Sequence, residues 1–167
     1  MGDKRPDAAV IEAEDQKYVM RPWTHPAGEP VIVAKARGCV VTDIHGKDYL
    51  DFTAGYFVNN AGHCHPRIAE AASRQLHEVL QVSGKHGTIP MVKLAKRLIE
   101  LAPPTIHKVF FSTGGSEANE VAIKMARQYQ FLRGKESKSL IASRWISYHG
   151  ATLGTLSVTG SMGRRRV

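Results

Sequence analysis

A chain of 167 residues, 43% hydrophobic and 23% charged with no low-complexity stretch, has the composition of a globular protein and the length to bury a core. No apolar run reaches membrane-spanning length, and the N-terminus around Asp3 and Asp7 lacks the apolar segment of a secretion signal, so a cytoplasmic protein without a membrane partner is expected. The formal net charge of +8 draws on Arg144 and the Arg164-Arg165-Arg166 cluster, while the basic residues between 90 and 138 recur at helical spacing on solvated faces; no nucleic-acid partner is expected.

Residues 1–30, with Pro6, Pro22, Pro26 and Pro30, read as a polar arm with one short helix over 8–18. Met1-Gly2 is followed by Pro6 where a myristoylation signal needs Ser or Thr. Cys39 and Cys64 are too few for a disulfide framework. Three short β-rich runs follow, at 31–36, 39–43 and 48–52, broken by Gly38 and by the turn 44–47, whose Gly46 suits a positive φ. Their spacing predicts an antiparallel meander. The stretch 54–66 is a loop rich in Gly, Asn and His. A helix over 66–82 starts at Pro66 with Ile68, Ala72, Leu76 and Val79 or Leu80 on one face, and a second spans 90–101 and stops before Pro103-Pro104. Residues 109–111 form a strand apolar enough to be buried, 116–132 a helix with Ala118, Val121, Ala122, Met125, Ala126 and Tyr129 inward, 140–145 another strand, and 151–156 the start of a further helix. Strand, helix, strand, helix predicts parallel βαβ architecture.

The segment from Phe110 to Glu120 carries the most chemistry. A strand, then Gly114-Gly115, then a helix start is a cup for an anion: glycine lets backbone approach closely, and the unpaired N–H groups and helix dipole favour negative charge. It is neither a Walker A loop nor a G-x-G-x-x-G loop, and alone it reads equally as a tight connection. Tyr148 lies at the carboxyl end of the next strand, where α/β sheets bind ligands, and offers a flat face for a ring; a tyrosine packed at a strand end is the other reading. A phosphorylated aromatic cofactor needs both features.

These residues resemble the class III, ornithine/GABA-type aminotransferases, over about residues 30–160. The resemblance is carried by Gly46-Lys47-Asp48-Tyr49-Leu50-Asp51-Phe52, by Gly62-His63-Cys64-His65-Pro66, by Gly115-Ser116-Glu117-Ala118-Asn119-Glu120 with Lys124-Met125-Ala126-Arg127, and by Tyr148-His149-Gly150-Ala151-Thr152, in the family's order. It implies an α/β protein of the pyridoxal-phosphate-dependent transferase fold type I, like aspartate aminotransferase. Residues 1–55 would be the N-terminal arm and small-domain strands, and 56–167 the start of the large cofactor-binding domain. It further implies pyridoxal 5′-phosphate as cofactor, its phosphate at Gly114, Gly115 and Ser116 and its ring against Tyr148 with His149 beside it. The family more often has a hydroxyl where Gly114 stands, so one phosphate contact is in question. Tyr56 matches a substrate-side aromatic of ornithine-type members, or is a packing residue. His63-Cys64-His65 invites a metal reading but falls on what the resemblance treats as a structural loop, and no metal is expected. A homodimer is implied, with Lys85 and His86 near the partner's cofactor or on a solvated loop.

The implied reaction moves an amino group from an amino acid or ω-amine to a keto acid. A decarboxylase or aminomutase of the same fold would share these motifs, and an inert fragment or interaction module is the rival from outside enzymology. In the family, the lysine that holds the cofactor covalently and the acid that faces its ring nitrogen follow the Tyr-His-Gly motif. Here no Asp or Glu follows Glu136 and no Lys follows Lys138. The chain therefore resembles the N-terminal two-fifths of such an enzyme, truncated and without a catalytic residue of its own.

Overall fold

The computed structural model describes residues 7–21, 30–161 and 163–164; Gly2, Asp3, Pro6, Pro22, Pro26, Arg165 and Arg166 lie outside the described residues. By compactness the chain divides into two units, Met1–Ser83 and Gly84–Val167.

In the first unit, α1 (Ala8–Tyr18) opens where the Asp7 carboxylate accepts the Ala9 N–H at 3.0 Å, a side-chain cap for an otherwise unpaired donor. The meander forms as expected: β1 (Val33–Arg37), β2 (Val40–Asp43) and β3 (Asp48–Leu50) are antiparallel in the order β1-β2-β3, with Val41 between Ala36 and Tyr49. The β2–β3 turn is built on buried Asp43. Its carboxylate accepts the N–H groups of His45 and Lys47 at 2.9 and 2.8 Å and the Tyr49 hydroxyl at 2.9 Å. Burial works to raise the Asp43 pKa, but these donors outweigh it and hold the carboxyl below its ordinary value.

The segment predicted as a plain loop is more ordered than that. Gly38, in the β1–β2 turn, forms an antiparallel bridge with His63, at 3.0 and 2.8 Å. The approach is close enough that a Cβ on Gly62 would stand 3.1 Å from the Gly38 Cα, and Gly62 has φ +80°. Before it, α2 (Ala54–Phe57) is a single turn in which all four residues have positive φ. The helix α3 (Pro66–Glu78) starts at Pro66 and ends short of residue 82, because Val79 turns extended.

The second unit holds α4 (Ile89–Leu101), α5 (Gly115–Leu132) and α6 (Leu153–Val158). Thr88 caps α4 by accepting the Met91 N–H at 3.4 Å. Of these helices, α5 and α6 pack together. The expected strands at 109–111 and 140–145 are absent: both segments run without a ladder partner. A strand is a property of a pair, since each N–H and C=O needs a neighbour, and the two segments do not pair with one another. The expectation that 109–111 is buried fails with it, Phe110 being 69% and Phe111 39% exposed.

The expected inward face of α5 is also corrected. Ala118, Ala122, Met125, Ala126 and Tyr129 are exposed, and the half-buried positions are Ser116, Asn119, Glu120, Val121, Ile123 and Gln130, of which only Val121 belongs to the expected face. Among the described residues no hydrophobic side chain is buried. A cleft of about 980 Å³ runs along α5, lined by Val121, Lys124, Phe131, Leu140, Ile141 and Val158 among others. Unburied apolar helix faces and unpaired extended backbone are the features that drive association. The purified 167-residue chain is expected to sediment as a self-associated species. A sharp monomer boundary with cooperative melting would contradict this.

Candidate functional site

The anion cup expected from the sequence has a definite shape. Gly114 is the N-cap of α5 in extended backbone (φ −169°, ψ 175°), and no side chain caps the helix. Gly115, Ser116 and Glu117 form its first turn, whose N–H groups precede the first i→i−4 acceptor; that ladder starts with the Ala118 N–H on the Gly114 carbonyl at 3.0 Å. A Cβ built on Gly115 meets nothing within 4 Å, so the space before the first turn is open. A Cβ on Gly114 would lie 2.9 Å from a Glu117 carboxylate oxygen.

The second predicted feature, Tyr148-His149-Gly150, docks onto the same turn. Three side chains of α5 do this. The Ser116 hydroxyl oxygen accepts the Ala151 N–H at 3.2 Å, and the Asn119 amide donates to the His149 carbonyl at 2.7 Å. Glu120 Oε1 accepts the Thr152 hydroxyl at 2.5 Å and the Gly154 and Thr155 N–H groups at 2.9 and 3.1 Å. From the other side the His149 N–H donates to Thr159 Oγ1 at 3.1 Å. Thr155 and Thr159 are fully buried, so the joint is polar. Gly150 is required here twice over. Its φ of +141° is glycine backbone, and a Cβ would stand 2.6 Å from Ser116 Oγ.

The ring of Tyr148 is 60% exposed, and the Arg164 guanidinium lies 5.0 Å from its centroid. A planar cation thus rests on one face of the ring, and a second flat group must use the other face or displace it. For His149 the fixed part is the peptide, held through both its N–H and its carbonyl.

Asn119, Glu120 and Thr152 stand in the motifs that carry the resemblance but have no site role there, and Thr155 and Thr159 are in none of them. The available signal was the hydroxyl-rich run from Thr152 to Thr159, with Gly154 small enough to admit the carboxylate of Glu120: a Cβ on Gly154 would lie 2.8 Å from the Glu120 carboxyl carbon.

Tyr56 belongs to the first unit. It sits in the left-handed turn α2 with φ +64°, and its side chain is 78% exposed. Left-handed backbone costs a non-glycine residue about 1–2 kcal/mol, so something must hold it. The Asp51 carboxylate does: it accepts the Thr53 hydroxyl at 2.6 Å, the Thr53 and Ala54 N–H groups at 2.8 and 3.0 Å, and His63 Nε2 at 2.8 Å. The Thr53 hydroxyl first, then His63, hold the Asp51 carboxyl far below the ordinary carboxylate range. His63 Nδ1 pairs with Asn59 Nδ2 at 2.9 Å, so both its ring nitrogens are engaged within the protein. Among the described residues no group of three or more His, Cys, Asp or Glu is arranged to hold a metal ion.

The model of the class-III aminotransferase family matches residues 23–166. The acetylornithine aminotransferase of Methanocaldococcus jannaschii is 46% identical over 131 residues, covering 78% of this chain and 32% of that protein. Two solved structures superpose closely. The (S)-enantioselective omega-transaminase of Thermomicrobium roseum has a TM-score of 0.90 at 35% identity, over 98% of this chain and 38% of its own. The taurine:2-oxoglutarate aminotransferase of Bifidobacterium kashiwanohense, solved with PLP and glutamate, has a TM-score of 0.87 at 31% identity, over 97% and 35%. The chain thus spans about a third of the length of the relatives it matches. They share fold type I, and pyridoxal phosphate is the cofactor of their family. This chain belongs to the class-III aminotransferases.

Proposed function

We propose that the chain is the N-terminal portion of a pyridoxal-phosphate-dependent enzyme that transfers an amino group from an amino acid or ω-amine to a keto acid. The observation that carries the reading is the joint between α5 and the Tyr148 segment. It brings an uncapped helix N-terminus and an exposed aromatic face into one unit. The residues present fit the cofactor. The cup is open in front of Gly115, and a phosphate entering it meets first-turn N–H groups and the positive end of the helix dipole. Ser116 keeps a use for its proton: its oxygen accepts the Ala151 N–H, while its O–H is left to donate to a phosphate oxygen. When bound, pyridoxal phosphate supplies an electron sink for charge developing on the substrate carbon.

Each residue then has a task. Gly114, Gly115 and Ser116 bind and orient the phosphate. The face of Tyr148 fixes the plane of the ring, and the His149 peptide, tied at both ends, fixes where that face stands. Tyr56, on its left-handed turn, borders the substrate. The division of the chain at 55/56 into arm with small-domain strands and large domain belongs to this proposal. So do the homodimer with Lys85 and His86 near the interface, and the cytoplasmic setting. Among the described residues no helix is long and apolar enough to cross a membrane.

Residues 149–167 hold no lysine and no acid, so the lysine and the acid that the resemblance implies after the Tyr-His-Gly motif are not among them.

Two substitutions test the reading. Beyond its chain neighbours and the backbone of α5, a Cβ on Gly115 meets nothing within 4 Å, so Gly115→Val places a side chain in open space at the cup. It is expected to weaken pyridoxal phosphate binding by about 1–3 kcal/mol in an equilibrium titration, by excluding phosphate from the amides. Unchanged affinity would make the turn a mere connection. For the ring, Tyr148→Ala is expected to lower cofactor affinity by roughly 0.5–1.5 kcal/mol and to shift the absorbance of the bound cofactor, while Tyr148→Phe stays close to the original. If Phe is as damaging as Ala, the hydroxyl and not the face is the working part.

A further inference from the structure

The cup and Tyr148 are joined through the whole of α5 and residues 138–147, which belong to no helix and no ladder. That connection cannot set the spacing between them, so side chains must. We propose that Glu120 is a positioning residue: its carboxylate, by gathering the Thr152 hydroxyl and the Gly154 and Thr155 N–H groups, fixes the distance from the phosphate-binding turn of α5 to the ring-bearing face of Tyr148. The inference rests on the reading that this turn takes the phosphate and Tyr148 the ring.

Several observations converge on it. Ser116, Asn119 and Glu120 lie on one face of α5, three or four residues apart, and engage Ala151, His149 and residues 152–155 in turn. Ser116 and Asn119 each contribute one neutral hydrogen bond. Glu120 contributes three charge-assisted ones through a single oxygen, so it is the strongest grip of the set. Gly154 is shaped to receive it, since any side chain there would collide with the carboxylate. Its loss leaves unpaired the N–H of Thr155, a residue with no solvent exposure.

The charge gives a signature that packing alone would not. The Thr152 hydroxyl first, then the N–H groups of Thr155 and Gly154, outweigh burial and hold the Glu120 carboxyl below its ordinary value. A group with a depressed pKa adds stability that is complete above its unfolded value and is lost as pH falls through the folded one. The α6 side presents only uncharged groups to Glu120. The titratable and charged groups around the same cleft are Lys124, Arg127, Glu136 and Lys138.

The test is hydrogen–deuterium exchange on the 167-residue chain, original and as Glu120→Ala and Glu120→Gln, at neutral pH and at about pH 2.5, well below the ordinary glutamate range, after correction for intrinsic exchange. In Glu120→Ala, protection over 149–156 is expected to fall about tenfold or more while residues 121–131 of α5 keep theirs. In Glu120→Gln, which retains an acceptor oxygen, neutral-pH protection is expected to recover and its loss in acid to vanish. Unchanged protection in Glu120→Ala, or an acid response in Glu120→Gln equal to the original, overturns the proposal.

A second arm adds pyridoxal phosphate. Glu120→Ala is expected to lose about half or more of the induced circular dichroism of the bound cofactor at unchanged affinity for inorganic phosphate, because the ring loses its orientation while the cup remains. Induced dichroism equal to the original's overturns the positioning role. If the original chain takes up no cofactor, the proposed function fails, and the exchange arm still decides for or against Glu120.

Discussion

Glu120 accepts three hydrogen bonds through one carboxylate oxygen, and these, with the single bonds of Ser116 and Asn119, join α5 to the segment that leads into α6. In the second unit, therefore, the joint that forms the candidate site is also the joint between helices. It is a polar one. Its fully buried residues are Thr155 and Thr159, whose hydroxyls find carbonyls, amides and each other's neighbours as partners. An apolar core depends on many contributors being present together, whereas a hydrogen-bonded network closes on itself over a few residues. That explains how this corner can be well defined in a chain where no described hydrophobic residue is buried.

The first unit relies on the same device. Asp43 organises the β2–β3 turn and Asp51 the left-handed turn that carries Tyr56, each by gathering backbone N–H groups and a hydroxyl on one carboxylate. Each of the three carboxylates is held below its ordinary pKa by the donors around it. All three therefore weaken together in acid. For each one, the stabilisation is complete above the unfolded value and declines as pH falls through the lowered one.

What could be read from the sequence was what is local. The helix at 8–18, the meander, the start at Pro66 and the helix that begins at the double glycine follow from caps, glycines and periodicity within a few residues, and the structure has them. The cup was legible because Gly114-Gly115 and the helix after them lie in one run. The strands at 109–111 and 140–145 were legible as extended apolar runs but not as unpaired ones, since pairing depends on backbone that these residues do not supply. The buried face of α5 was misassigned for a related reason. Periodicity identifies the stripe of Ala118, Met125 and Tyr129, but not whether anything covers it. The joint was missed because Glu120, Thr152 and Thr155 have no local pattern, and their partnership exists only once residues far apart in the chain are brought together. Motif resemblance reached Tyr148 and Ser116 from outside that limit, which is why the family could be named from four short segments.

The central claim is the proposal that the N-terminus of α5 recognises the cofactor through its phosphate. The most direct measurement is a paired titration of the 167-residue chain with pyridoxal 5′-phosphate and with pyridoxal, which lacks the phosphate. The account predicts saturable binding of pyridoxal phosphate that inorganic phosphate competes away, and at least about tenfold weaker binding of pyridoxal. Equal binding of the two compounds would contradict it.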